Sequence, residues 1–272
     1  MKHAYKISES FNATERDKVS GFLHSVYNSL RTQKDLSPNN ELVNLNLTDL
    51  VSQIMAWSDL NQFTLADLDN ETTALLNVLP SLCAQAECEM EKWWAGRIVN
   101  DEALLDSFWY LEQYRLLTSS EIRLIQHLKA QRLVFLGSGA LPLTAIIMAQ
   151  HNPHLELVCI DCDSIACELS DALIKKLGHS PQIRVIESDA SSYRYSHEDM
   201  VVCASLLRAS DIYERLFSSN VSDIIVRDAE DLYRFIYQPA QQPSETNYME
   251  IGRTRLNSKC INISRHFERV VL

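Results

Sequence analysis

Glycine is scarce in this chain, six in 272 residues, and two of the six stand one residue apart at Gly137 and Gly139. That pair is conspicuous, because glycine turns a backbone sharply and lets a ligand approach peptide N–H groups. Long apolar runs are missing too: none approaches the roughly 18 residues of a membrane-spanning helix, so no membrane partner is expected. The amino terminus, Met1 to Ser10, has no apolar signal core, from which we expect a cytoplasmic protein. Basic charge is in deficit, with 25 Lys and Arg against 36 Asp and Glu for a net of −11. A surface of that sign repels phosphates, which argues against nucleic acid as partner. Residues 1–125 carry most of the imbalance, 18 acidic against 10 basic side chains, as solvated helical surfaces do. The seven cysteines are odd in number and lack framework spacing, so disulfides are not expected in such a compartment. Cys159-x-x-Cys162 has no partner pair and the eight histidines form no cluster, so no metal is expected.

With 46% hydrophobic residues and four Trp, the chain has ample material for a buried core. Up to about residue 128 the apolar spacing is helical, as in Leu75, Leu79, Leu82, Ala86, Met90 and Trp93. Beyond Gln131, short Val/Ile/Leu segments alternate with helical stretches, the pattern of a parallel α/β sheet. The expected organisation is a helical domain over 1–128 followed by a Rossmann-like domain over 129–272. The polar stretch 238–247 reads as a lid or connection. Lys259 to Glu268 alternates like a closing edge strand.

The segment Leu133-Val-Phe-Leu-Gly-Ser-Gly runs an apolar strand straight into the glycine pair. A second strand, Leu155–Ile160, follows and ends at Asp161, about 20 residues on, where a βαβ nucleotide site places the carboxylate for ribose hydroxyls. The bland alternative is an ordinary tight turn and a solvated aspartate. Position 142 is Pro142 where a third fingerprint glycine is expected, which disfavours pyrophosphate. A ligand with a ribose and an amino-acid tail but no phosphate, S-adenosylmethionine, suits the shorter loop better. Gly137, Ser138 and Gly139 are its expected backbone contacts, with Asp161 on the ribose. Further strands are expected at 183–189, ending in the adenine-side Asp189, at 200–206 and at 224–227.

These residues carry a family resemblance. Phe135-Leu-Gly-Ser-Gly-Ala-Leu-Pro-Leu-Thr-Ala145, the pair Asp161 and Asp163, and Val226 through Tyr237 resemble nicotianamine synthases and their bacterial opine-metallophore relatives. So do Leu82 through Glu91, and Phe108 through Tyr114 followed by Glu121. The likeness covers roughly residues 70–240. It implies an S-adenosylmethionine-dependent transferase that passes the aminobutyrate group of that ligand, rather than its methyl, to the amine of an amino acid. The acceptor implied is histidine, taking one unit, with an opine dehydrogenase acting downstream; a homodimer is left open. Two other classes remain at this point: an ordinary S-adenosylmethionine methyltransferase, and a non-catalytic module keeping the fold.

Such a transfer needs a carboxylate and a hydroxyl within reach of the attacking amine. On a helical wheel Glu87 lies at the rim of the apolar stripe, facing a cleft, and Glu91 points away. By resemblance Glu87 matches the glutamate that binds and activates the amine, and Tyr114 the tyrosine beside it; the alternative is a solvated glutamate and a half-buried ring. Arg227, at the end of the fifth strand, is placed to clamp a carboxylate, with an ion pair to Asp228 or Glu230 as the alternative. Tyr237 joins it as a substrate contact by resemblance, although Gln238 interrupts the Tyr-Pro of the relatives.

Overall fold

The computed structural model describes residues 13–59, 63–128, 131–254 and 260–270; Met1–Ser10 and Lys259 lie outside them. Helices α1 (Ala13–Leu30), α2 (Glu41–Asp59), the one-turn α3 (Asn70–Ala74), α4 (Leu79–Val99) and α5 (Leu111–Ile125) come first. There follow β1 (Arg132–Leu136), α6 (Leu143–His151), β2 (Glu156–Asp161), α7 (Ser164–Lys176), β3 (Ile183–Glu187), β4 (Asp199–Cys203), α8 (Ser210–Phe217) and β5 (Asp223–Asp228), and finally β6 (Tyr248–Arg253) and β7 (Ile263–Arg269). The helical periodicity around Leu75 is divided between two elements: Leu75 sits in a 3-10 turn, Leu75–Asn77, and α4 starts at Leu79 with Pro80 in its first turn.

The strands form one sheet in the order β3-β2-β1-β4-β5-β7-β6. Strands β1 to β5 pair in parallel and β7 runs antiparallel between β5 and β6. The segment near 260–268 is therefore not an edge. Ile263 through Phe267 are all buried, and the edge is the unexpected β6, where exposed Met249 and Ile251 alternate with buried or half-buried neighbours. Alternation along β7 instead separates Phe267, in the apolar core, from Ser264 and His266, which are buried against Glu121 and Asp223.

Period-two side-chain direction divides the core into layers. Leu133, Phe135, Leu157, Cys159, Met200, Val202 and Ile225 face α6, α7 and the end of α4. Val134, Leu136, Val158, Ile160, Val201, Cys203, Ile224 and Val226 face the other side with Tyr213 and Leu216 of α8. A third cluster gathers α1, α2 and the first half of α4 (Leu79, Cys83, Ala86) with residues 229–237 and Ile261. These clusters do not separate at residue 128. Ala95 and Ile98 of α4 and Leu111 of α5 belong to the sheet's core, and Phe235 to Tyr237 belong to the helical one. Helix α4 changes partners halfway along, and Glu87 and Glu91 lie at the change.

Candidate functional site

The strand order reverses between β1 and β4, so their connections leave the sheet in opposite directions and open a crevice at the carboxyl ends of the strands. A cavity of about 380 Å³ lies there, within the size range of small-molecule sites. Gly137 and Gly139 shape its floor with φ of +70° and +67°, a region that favours glycine. At Gly139 a Cβ would also run into the Glu91 carboxylate, which would have to shift to admit a side chain. Asp161, at the end of β2, accepts hydrogen bonds from the Gly139 N–H (2.8 Å) and the Asp163 N–H (3.0 Å). It holds the loop open from the neighbouring strand while keeping a carboxylate on the cavity wall.

Gly137, Ser138, Gly139, Asp161 and Asp163 all line this cavity, together with Glu87, Tyr114, Arg227 and Tyr237. Asp163 also has a local duty: it caps α7 by accepting from the N–H groups of Ile165 and Ala166, and it pairs with Lys92 at 3.0 Å. Asp189 is not among the lining residues. It is exposed just past the end of β3 and caps the 3-10 turn Ala190–Ser192 by accepting from the Ser191 N–H. A short carboxylate after a strand serves a following turn as readily as a ligand.

Two tyrosine–glutamate pairs dominate the cavity wall. Tyr237 donates to Glu87 Oε2 at 2.8 Å, and Tyr114 donates to Glu91 Oε1 at 3.1 Å. Glu91 therefore does not point away. It is four residues from Glu87, the spacing that puts two side chains on one helical face, and the wheel missed it because α4 is buried on two sides by different clusters. Burial raises the Glu87 carboxyl above its ordinary value, against the pull of the Tyr237 hydroxyl. Burial also pushes Glu91 up to about 8, with the Glu87 charge adding to it. Both tyrosines are driven well above the ordinary phenol range, by burial first and by their glutamates second, so they stay protonated and donate.

Arg227 reaches the cavity, but its guanidinium is spoken for. Nε and Nη2 grip Glu121 at 2.8 and 2.9 Å, and Nη2 also donates to Thr144 Oγ1 at 2.6 Å. Its partner is thus neither Asp228 nor Glu230. Those two bind Arg265 at 2.9 and 2.6 Å. Ser264 adds a bond to Glu121, whose side chain has no exposure at all. A bidentate, buried pair of this kind leaves the guanidinium little capacity for a substrate carboxylate.

The cation with capacity to spare is Arg208, in the loop after β4. Its Nη1 donates to Ser81 Oγ at 3.1 Å and its Nη2 to the Pro80 carbonyl at 2.7 Å, both neutral, while Nε is buried without a partner. Gln113 Oε1 and Asn262 Oδ1 are likewise buried, unpartnered and on the lining. None of these three was singled out from sequence. Only Arg208 had a signal, its position just past the carboxyl end of the strand beside the reversal.

The nicotianamine synthase protein family matches residues 14–251. The chain belongs to that family. Nicotianamine synthase 3 of Oryza sativa subsp. indica is 28% identical over 234 residues, covering 77% of this chain and 65% of the rice protein. Nicotianamine synthase of Solanum lycopersicum is 28% identical over 158 residues, covering 55% of this chain and 48% of the tomato protein. The chain thus spans just under two thirds of the rice relative's length. Among solved structures, MtNAS in complex with MTA and tNA aligns with a TM-score of 0.73 at 20% identity over 95% of this chain and 98% of that one, a likeness of fold. A mutant of MtNAS in complex with S-adenosylmethionine also has a TM-score of 0.73, at 19% identity over 92% of this chain and 98% of that one. The α/β sheet with its helical amino-terminal region is the fold of that protein. Among the described residues no helix is long and apolar enough to cross a membrane, and no group of His, Cys, Asp or Glu could hold a metal ion.

Proposed function

We propose that this chain binds S-adenosylmethionine at the glycine loop and transfers its 3-amino-3-carboxypropyl group to the amine of an amino acid, histidine by the family likeness, in the making of an opine-type metallophore. The observation that carries this reading is the charge of the cavity. Glu87, Glu91 and Asp161 converge on it, Arg227 is neutralised by Glu121, and Arg208 alone is left to oppose them. Burying carboxylates without cations is costly, so such a site favours a cationic ligand. A sulfonium with an ammonium tail fits that field, and the left-handed glycines leave room for it. Family membership and the ligand named for the MtNAS mutant complex point the same way.

Bound S-adenosylmethionine supplies an electrophilic γ-carbon: an amine forms a C–N bond there, the C–S bond breaks, and methylthioadenosine leaves as a neutral thioether. The protein's own part is proton and orientation chemistry. Glu87, fixed by Tyr237, holds the acceptor ammonium and takes the proton it must shed before attack. Tyr114 and Glu91 occupy the side of the cavity toward Gly139, where they steady the end of the ligand that lies on the loop. Incubating the purified protein with S-adenosylmethionine and a panel of D- and L-amino acids should release methylthioadenosine. Release of S-adenosylhomocysteine would sink this reading in favour of a methyltransferase.

Two further outcomes follow from the geometry. Asp161→Ala removes the partner of two loop N–H groups and should weaken S-adenosylmethionine binding by about 1–3 kcal/mol in calorimetry; unchanged affinity would remove Asp161 from the site. Binding should also release a proton. Glu91 faces Glu87 and Cys88 on α4, Tyr114 on α5, Asp161 at the end of β2 and the Leu141 N–H, with no ion-pair partner among the described residues. Held up at about 8, it is protonated in the free protein at neutral pH, and a bound cation favours its charged form. Affinity should therefore rise with pH up to about 8 and level off above it. At pH 7 (an assay condition), binding heats should vary with buffer ionisation enthalpy in the sense of release, and heats independent of buffer would refute the linkage.

A further inference from the structure

Resting on the function proposed above, we infer that Arg208 is the specificity-determining residue that receives the carboxylate of the acceptor amino acid, while Glu87 receives its ammonium group. A free amino acid is a zwitterion, and its site has to offer one group of each sign a few ångströms apart.

The cavity wall meets that requirement at one place. Arg208 is anchored to the first turn of α4 through Ser81 and the Pro80 carbonyl. Glu87 lies seven residues beyond Pro80, two turns along the same helical face and about 10 Å by the helix rise. The Arg208 guanidinium and the Glu87 carboxylate line one cavity and feel each other's charge, so an amino acid between them can place its carboxylate on the first and its ammonium on the second. Arg208 makes two hydrogen bonds of the five its guanidinium can donate. Arg208 lines the cavity, and the Nη donors that Ser81 and the Pro80 carbonyl leave unused can take a carboxylate in bidentate fashion. Burial holds the guanidinium below its ordinary pKa, as expected of a cation whose own neighbours do not neutralise it.

Position separates this carboxylate from the one carried by S-adenosylmethionine. The loop Gly137–Gly139 with Asp161 and Glu91 forms one part of the cavity. Arg208 belongs also to a second depression, which it shares with Ser81, Cys88 and Leu206 and which includes Lys34 and Lys92. It stands where the inner cavity adjoins that outer groove, on the route a small amino acid entering from solvent would take. Arg227, which its strand position made the expected clamp, has its charge neutralised by Glu121 and its Nε and Nη2 already bonded.

The test pairs each acceptor with its decarboxylated form: histidine with histamine, alanine with ethylamine, glutamate with 4-aminobutyrate. Methylthioadenosine release is followed for the native protein, Arg208→Gln and Arg208→Lys, and S-adenosylmethionine affinity is measured separately by calorimetry. The native protein should prefer the amino acid of a pair on the order of 100-fold or more, the scale on which a site rejects a ligand that leaves its buried polar groups unpaired. Arg208→Gln should raise KM for the amino acid on that scale, leave the decarboxylated amine nearly unaffected and so erase the preference, with S-adenosylmethionine affinity within about twofold of native. Arg208→Lys keeps the charge without the fork and should restore part of the preference; it also serves if the Gln variant folds poorly. A preference retained in Arg208→Gln overturns the assignment. So does a loss of S-adenosylmethionine affinity with acceptor preference intact, which would give the guanidinium to the other carboxylate. If the native protein binds S-adenosylmethionine but prefers no amino acid over its amine, only this inference falls; if it does not bind it, the proposed function falls with it.

Discussion

Glu121→Ala should destabilise the protein by about 3–5 kcal/mol, the cost of stranding one partner of a buried ion pair. The glutamate has no exposure, and it accepts both arms of the Arg227 guanidinium and the Ser264 hydroxyl. Its removal leaves a cation at the centre of the sheet's carboxyl edge, in contact only with Thr144 and the Phe135 ring 5.3 Å away. Urea unfolding would show this as a lowered midpoint at unchanged slope. Replacing both partners, Glu121→Leu with Arg227→Met, should recover much of the loss, because an apolar pair of similar volume carries no stranded charge. A single variant within about 1 kcal/mol of native would mean that water or another anion reaches Arg227.

Glu87→Gln should lower turnover on the order of 100-fold or more, because it keeps the side-chain shape while removing the base. Tyr237 can still donate to the amide oxygen, so the local structure survives the change. Glu91 and Asp161 remain to hold a cationic ligand, so S-adenosylmethionine affinity should stay near native. Single-turnover release of methylthioadenosine, set beside calorimetry, separates the two effects. Tyr237→Phe and Tyr114→Phe test the two donors in turn. The first acts on Glu87 and should depress turnover; the second acts on Glu91 and should be felt in S-adenosylmethionine affinity and its pH dependence. Native turnover in Glu87→Gln would move the base elsewhere on the cavity wall, with Glu91 the nearest carboxylate.

The strands around the glycine loop were legible because each is a short apolar run with both faces covered, bounded by polar turns. So was the loop, since two glycines directly after a strand admit few other structures. Glu91 was misread from a helical wheel that assumes one buried face, whereas α4 is buried against the helical cluster in its first half and the sheet in its second. Arg227 was correctly placed at a strand end, but its partner Glu121 is 106 residues away in sequence and could not be found from local spacing.

What the sequence determined by itself, then, is the run of five parallel strands, the glycine loop and its following aspartate, because these depend on periodicity and on backbone freedom within a few residues. Which charges survive unpaired in the cavity was decided only by the tertiary structure. Charge neutralisation is a contact property, settled by side chains brought together from α4, α5, β5 and the loop after β4. That is why Arg227 is paired with Glu121 while Arg208, inconspicuous in the sequence, lines the cavity with only neutral hydrogen-bond partners.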